Sequence, residues 1–281
     1  IIDGIKVIYC SSRYLLIKKS LEVLPKCDVV LLSSVCYSPE FIISIWGRIF
    51  KKKVVWSPRG EFAQSAIGGS VTKLVFFRLI KFFVGDYVIF HATSEDENAC
   101  IKKIQGENVK SVIIPNYMEV PQKLERQKSE SPYILFLGRI APIKAIENLI
   151  KGVALSVKFM RSKFILKIAG GIENQFNDYY NSLIKVIDDN KLYDKVEFTG
   201  TVDGKEKFQT YCNAEFLFLV SKSENFGNVV IESLSRGTPV VASYGTPWSG
   251  LEEKHAGFWI DNSPQTISQT IDKILDMNSK E

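Results

Sequence analysis

Short apolar, β-rich runs alternate with helix-patterned stretches along the whole of this 281-residue chain. That alternation constrains the fold more than any other feature. Runs at 6–10, 28–32, 53–56, 87–90 and 111–114 read as strands, with helical periodicity at 39–50, 71–84 and 94–105 between them. The second half repeats the pattern. Its strands are expected at 133–137, 164–169, 196–198, 216–220, 239–242 and 258–260, and its helices at 144–159, 174–190, 204–213, 228–236 and 264–276. Apolar strands separated by helices predict parallel sheets with helices on both faces.

The alternation breaks once. A Pro-bracketed, charged stretch from Pro115 to Ser131 reads as a linker. The boundaries predicted are a first domain over 1–117, a linker over 118–131 and a second domain over 132–281. Two such domains are expected to form a cleft between the carboxyl ends of their sheets, where ligands of open α/β sheets bind. The chain begins at Ile1, close to a strand-like run, and ends soon after a helical pattern. Terminal segments are therefore expected to be missing.

Composition narrows the class. Cys10, Cys27, Cys36, Cys100 and Cys212 are odd in number and never spaced as CxxC. This argues against a disulfide framework or a zinc site and for a reducing compartment. No apolar run is as long as a membrane span. Charge is uneven: residues 1–117 hold 16 Lys and Arg against 10 Asp and Glu, and residues 118–281 hold 20 against 21. The basic half could face an anionic membrane or a phosphorylated substrate, or carry only a surface imbalance. Residues 72–84, TKLVFFRLIKFFV, read either as a helix packed on the first sheet or as one that dips into a membrane surface.

Two stretches of the second domain carry chemistry. In ILFLGRIAPIK (134–144), a strand runs into Gly138 and Arg139, and a helix is expected to start near Lys144. A cation there opposes the helix dipole unless an anion is bound, so Arg139, Lys144 and the helix amides could hold a diphosphate. In SENFGNVVIESLSRGTPVVAS (223–243), Glu224 falls in a loop and Glu232 one turn into the next helix. A carboxylate among packing residues needs partners, and a vicinal diol such as a ribose offers two donors. Glu224 could accept from hydroxyls of a second group. Gly227 lets the backbone approach a ligand, and amides from Asn225 through Phe226 to Asn228 could donate to it. Taken singly, each of these residues also fits an ordinary surface position.

The ordered set resembles the retaining glycosyltransferases of family 4. Glu224 and Glu232 match the family's E-x7-E signature, and Gly138, Arg139 and Lys144 its GR-x4-K signature, with an IAGG turn at 168–171 and FTGTV at 198–202 between them. SPRGEF (57–62), HATSEDE (91–97), VIIPN (112–116) and GTPWSGLEEKHAGFWI (245–260) resemble a bacterial subgroup. The resemblance implies the GT-B fold, two Rossmann-like domains with the active site between them. It implies transfer of a sugar from a nucleotide-diphosphate sugar to a saccharide or lipid-linked acceptor, with retention, in surface polysaccharide biosynthesis. Arg139 and Lys144 would then hold the diphosphate, Glu224 the sugar and Glu232 the ribose, with Val202 where the base is read. Arg139, Lys144 and Glu224 are the expected catalytic residues. No divalent metal or other cofactor is implied, and no nucleic-acid partner. The expected location is the cytoplasm, including the inner face of the plasma membrane.

The first domain departs from the family pattern. Relatives place a His in the loop that here reads Ser57-Pro58-Arg59-Gly60. Arg59, Gly60 and His91 are the acceptor-side candidates. A Gly-rich loop after the first strand, usual in the family, has no counterpart before residue 28, where Gly4 is the single glycine. Two other readings stay open: a nucleotide-sugar epimerase on the same fold, and a nucleotide-sugar-binding fragment without catalysis.

Overall fold

The computed structural model describes residues 4–118, 124–127 and 131–277. The chain divides into two compact units, Ile1–Asn116 and Tyr117–Glu281. Most of the stretch read as a linker lies outside the described residues.

The first unit runs α1 (Arg13–Val23), β1 (Val29–Leu32), α2 (Ser38–Ile49), β2 (Lys53–Trp56), α3 (Gln64–Ile67), α4 (Val71–Val84), β3 (Ile89–Ala92), α5 (Glu95–Gln105) and β4 (Ser111–Ile113). Its four strands pair in parallel in the order β1-β2-β3-β4. Val54, Trp56, Phe90 and Ala92 are buried in one core with Ile43 of α2, Phe77, Ile80 and Val84 of α4, and Ile101 of α5. Strand side chains alternate between faces. Val29, Leu31, Ile89 and Val112 therefore face away from this core, and all four stay exposed. The two covered faces expected of a parallel sheet are one covered face here, among the described residues.

Residues 6–10 are not a strand. Ile5 makes a single isolated bridge, residues 6–10 join no ladder among the described residues, and Ile5, Val7, Ile8 and Tyr9 are exposed. Helix α1 was not expected, because it has no fully buried residue to impose a periodicity. The strand expected at 87–90 begins at Ile89 and ends at Ala92, so His91 lies within β3.

The second unit runs β5 (Tyr133–Leu137), α6 (Ile146–Leu155), α7 (Val157–Arg161), β6 (Ile165–Ala169), α8 (Asn177–Asp189), β7 (Val196–Gly200), α9 (Gly204–Asn213), β8 (Phe216–Leu219), α10 (Asn228–Leu234), β9 (Val240–Ser243), β10 (Gly257–Ile260) and α11 (Pro264–Asp276). All six strands are parallel, in the order β10-β9-β8-β5-β6-β7. Two cores cover the two faces. One holds Ile134, Phe136, Ile168 and Phe218, and the other Tyr133, Leu135, Leu217 and Leu219. The single helix expected over 144–159 divides at Ser156, whose hydroxyl accepts from the Phe159 amide and caps the second piece.

The strand order of the second sheet reverses between β5 and β8. Chain order runs outward from β5 through β6 to β7 on one side, and from β8 through β9 to β10 on the other. This is the doubly wound arrangement, whose ligand crevice lies at the carboxyl ends of the two strands that flank the reversal.

Candidate functional site

The loops that leave β5 and β8 carry the two sequence motifs, and the reversal makes them neighbours. After β5 the chain passes Gly138 and Arg139 and makes a 3-10 turn over Pro142–Lys144. Ala145 then takes a left-handed conformation, φ 50°, before α6 begins. A non-glycine residue held there stores backbone strain, which tends to occur where geometry serves a ligand. The Ile146 amide, an orphan donor of the first helical turn, is satisfied by the Tyr179 hydroxyl at 3.0 Å. That hydroxyl donates in turn to Glu147. Burial, and then its bond to Glu147, hold the Tyr179 phenol far above its ordinary range, so it remains a donor.

Three contacts tie the β5 loop to the β8 loop. The Lys222 amide donates to the Ile143 carbonyl at 2.8 Å. The Lys222 ammonium pairs with Glu147 at 3.0 Å. Lys144 Nζ lies 2.6 Å from Glu224 Oε1 and 3.0 Å from Oε2, with both side chains mostly buried. Lys144 and Glu224 are thus brought together at the switch point. Arg139 is not part of that pair. It is 64% exposed and pairs with Glu173 at 3.2 Å.

The C-terminal motif supports the Glu224 loop from behind. The Glu224 amide donates to Gly245 O at 2.8 Å, and the Trp248 indole donates to Phe226 O. The Trp248 ring meets that of Phe226 edge-on at 5.4 Å. Gly227 has φ 79°, and a Cβ on it would come within 2.9 Å of Leu219 and 3.2 Å of Glu224. Glycine is therefore required for both space and conformation. Gly170 has a similar role after β6: a Cβ there would sit 1.8 Å from the Gly138 carbonyl oxygen. The GR and IAGG motifs are in backbone contact, through Gly138 N to Ala169 O at 3.0 Å and Ile140 N to Gly171 O at 3.1 Å.

Glu232 lies in α10 and has two partners on α9. Oε1 takes Lys207 Nζ at 2.7 Å, and Oε2 takes the Tyr211 hydroxyl at 2.8 Å. Val202, in the loop after β7, is half-buried against the core that also holds Tyr211 and Val230. Asn225 and Asn228 lie between the two glutamates and are each engaged in interactions of their own.

In the first unit, two titratable side chains connect three motifs. His91 Nε2 lies 2.8 Å from the Ile114 carbonyl, which can only accept, so Nε2 carries the proton. Nδ1, 2.7 Å from the Ser57 hydroxyl, accepts from it in the neutral ring. Glu97 is 5% exposed and accepts from the Gly60 amide at 2.6 Å and the Thr93 amide at 2.7 Å. SPRGEF, HATSEDE and VIIPN are joined through these contacts. Arg59, at the tip, is exposed and left-handed, φ 51°.

Sequence reasoning did not find Glu147, Glu173, Tyr179, Lys207, Tyr211 or Lys222. Lys207 and Tyr211 are four apart on a correctly expected helix, which places them on one face. Nothing in their own stretch identified Glu232 as what that face meets.

The sequence model of the family Glycosyl transferases group 1 matches residues 120–281. The chain belongs to the group 1 glycosyl transferases. Among relatives, an uncharacterised glycosyltransferase of Methanocaldococcus jannaschii is 27% identical over 53% of this chain and 37% of its own length. The GDP-mannose:cellobiosyl-diphosphopolyprenol alpha-mannosyltransferase of Xanthomonas oryzae pv. oryzae is 26% identical over 86% of this chain and 62% of its own. The chain thus spans from about a third to under two thirds of the length of these relatives. Among solved structures, Anabaena Alr3699/HepE in complex with UDP and glucose superposes with a TM-score of 0.76 at 15% identity, over 92% of this chain and 71% of that one. At that identity the likeness is one of fold, and the α/β fold of this group 1 glycosyl transferase is of the GT-B type.

Proposed function

We propose that this chain is a retaining, family 4 glycosyltransferase that moves a sugar from a nucleotide-diphosphate sugar to a saccharide or lipid-linked saccharide acceptor. The observation that carries the reading is the Lys144–Glu224 pair at the switch point of a doubly wound sheet. The pair sets a fixed cation and a fixed carboxylate side by side where such sheets bind ligands. Breaking the bond between sugar and diphosphate puts negative charge on the leaving oxygens. Lys144, with Arg139, supplies positive charge where that charge develops and so acts more on the transition state than on binding. Glu224 accepts from sugar hydroxyls, with Gly138, Asn225, Phe226, Gly227 and Asn228 around the donor. Glu232 takes the ribose hydroxyls, and Val202 lies beside the base. In the retaining step the leaving phosphate oxygen takes the acceptor's proton on the same face of the sugar, so no enzyme nucleophile is required. The reaction runs without a divalent metal, and chelation with EDTA leaves the rate unchanged.

The Xanthomonas relative is named for a GDP-mannose donor and a diphosphopolyprenol-linked acceptor. This supports a lipid-linked acceptor and a place in surface polysaccharide assembly. Arg59, Gly60 and His91 are assigned to the acceptor side. Helix α4 supports work at the inner face of a membrane. Its buried residues are Phe77, Ile80 and Val84. Val71, Val75, Leu79 and Phe82 lie on the opposite stripe and are exposed, with exposed Arg78 and Lys81 beside them. Apolar and basic groups together are what an anionic bilayer surface attracts. The helix lies on a membrane rather than in it: among the described residues, no helix is long and apolar enough to cross one.

The test is a thermal-shift screen with UDP-, GDP- and ADP-sugars, followed by NMR of the product formed from the best donor. The expected outcome is stabilisation by one nucleotide class and release or transfer of the sugar with its original anomeric configuration. Inversion overturns the retaining assignment. An epimerised nucleotide sugar selects the epimerase, and binding without turnover selects the non-catalytic fragment.

A further inference from the structure

The carboxylate of Glu232 is held from the inside by two donors. A carboxylate offers about four lone-pair positions, two on each oxygen. Lys207 Nζ takes one on Oε1 and the Tyr211 hydroxyl takes one on Oε2. Among the described residues one position on each oxygen remains, and the side chain keeps 13% of its surface exposed. Two acceptor positions on adjacent oxygens match the two donors of a vicinal diol.

The two inner donors differ in character. Tyr211 is fully buried, and its backbone carbonyl accepts from the Thr238 hydroxyl at 2.6 Å, so its ring has a fixed place. Burial, and then the charge of Glu232, hold its phenol far above the ordinary range, so it stays a proton donor. Lys207 is a quarter exposed and sets a positive charge against the mostly buried carboxylate.

We propose that Tyr211 and Lys207 are positioning residues for nucleotide recognition: they fix the rotamer of Glu232 so that its two outward acceptor positions select ribose over deoxyribose. The inference rests on the reading that Glu232 takes the ribose hydroxyls. It goes beyond that reading in assigning the selectivity to two residues of α9 that act through Glu232. A salt bridge serving only to dock α9 on α10 would support stability and leave sugar discrimination unchanged.

The experiment is isothermal titration of the full chain with UDP, GDP and ADP and with the 2′-deoxy form of whichever binds. The parent, Glu232→Gln, Tyr211→Phe and Lys207→Met are compared. A hydrogen bond to a charged group predicts a ribose preference of roughly 10- to 100-fold in the parent. Glu232→Gln should lose most of it. Tyr211→Phe keeps the ring and its packing, and Lys207→Met keeps most of the side-chain volume. Each should lower the preference about threefold to tenfold, with ribonucleotide affinity falling and deoxyribonucleotide affinity nearly constant. If the parent binds no nucleotide, or Glu232→Gln retains the preference, the reading of Glu232 falls and the proposal with it. If Glu232→Gln loses the preference while Tyr211→Phe and Lys207→Met keep it, the reading stands and the proposal is overturned. Should Tyr211→Phe fail to fold, the Lys207→Met ratio decides by the same criterion.

Discussion

Lys144 and Glu224 are 80 residues apart in the sequence, yet the ammonium of one reaches both carboxylate oxygens of the other, at 2.6 and 3.0 Å. Removing one partner leaves the other charge mostly buried and unpaired. Lys144→Met should therefore lower unfolding free energy by on the order of 3 kcal/mol. Arg139→Ala, which breaks an exposed pair with Glu173, should cost less than about 1 kcal/mol. Urea unfolding of both variants checks this. Equal and small losses would mean that the Lys144–Glu224 pair does not form in solution.

The same two cations are predicted to separate in kinetics from residues that merely bind. Arg139→Ala and Lys144→Ala should lower kcat more than they raise KM. Steady-state rates with unchanged kcat and raised KM would remove them from transition-state stabilisation.

Gly170 admits no side chain, because its Cβ position lies 1.8 Å from Gly138 O. Gly170→Ala has to push apart the carboxyl ends of β5 and β6. The expected loss is roughly 1–3 kcal/mol or more, measured as a lowered urea midpoint. Gly237→Ala is a useful contrast. Nothing lies within 4 Å of its Cβ position, so only its left-handed backbone, φ 75°, is penalised. A midpoint for Gly170→Ala at or above that of Gly237→Ala would contradict the close approach.

Tyr133 should show its burial in alkali. The side chain is 4% exposed and its hydroxyl donates to Thr210 O at 2.8 Å. Burial pushes its phenol up to about 12, against an ordinary value near 10. The folded state binds this proton more tightly than the unfolded chain does. Its contribution to stability is therefore complete below about pH 10 and is lost as pH rises toward about 12. Ultraviolet titration should show a tyrosinate step near pH 12 that disappears in Tyr133→Phe. Ionisation near pH 10 in the native protein would refute the shift.

The outward stripe of α4 predicts vesicle binding. Phe82 is 79% exposed and can be replaced without disturbing the core. Co-sedimentation with anionic vesicles at low salt should fall several-fold in Phe82→Asp and decline as salt rises. No binding by the parent would remove the membrane contact.

Most of the second unit was legible in the sequence because its elements are long and buried on a regular period. The bounds of β5, α9 and α11 agree with expectation to the residue. The misses have physical causes. Residues 6–10 have a strand's composition but, among the described residues, no partner strand, and pairing is not encoded in composition. Helix α1 buries no residue completely, so its pattern carries no period. In the site, the E-x7-E and GR-x4-K spacings located Lys144 and Glu224 but not their contact, which depends on β5 and β8 being neighbours. Lys207 and Tyr211 were invisible for a similar reason: a buried carboxylate announces that it needs partners, not which helix supplies them.

The reversal of strand order has a consequence for the order of assembly. Helix α6 and strands β6 and β7 lie between the two halves of the pair in the sequence, so the contact has to wait for a long loop to close. Closure of that kind comes late, after local structure has formed. A nascent chain that has not yet delivered β8 holds Lys144 without its carboxylate. Under the proposed function, a nucleotide sugar bound at this pair would recognise only chains that have completed the sheet, and by mass action would draw folding toward them.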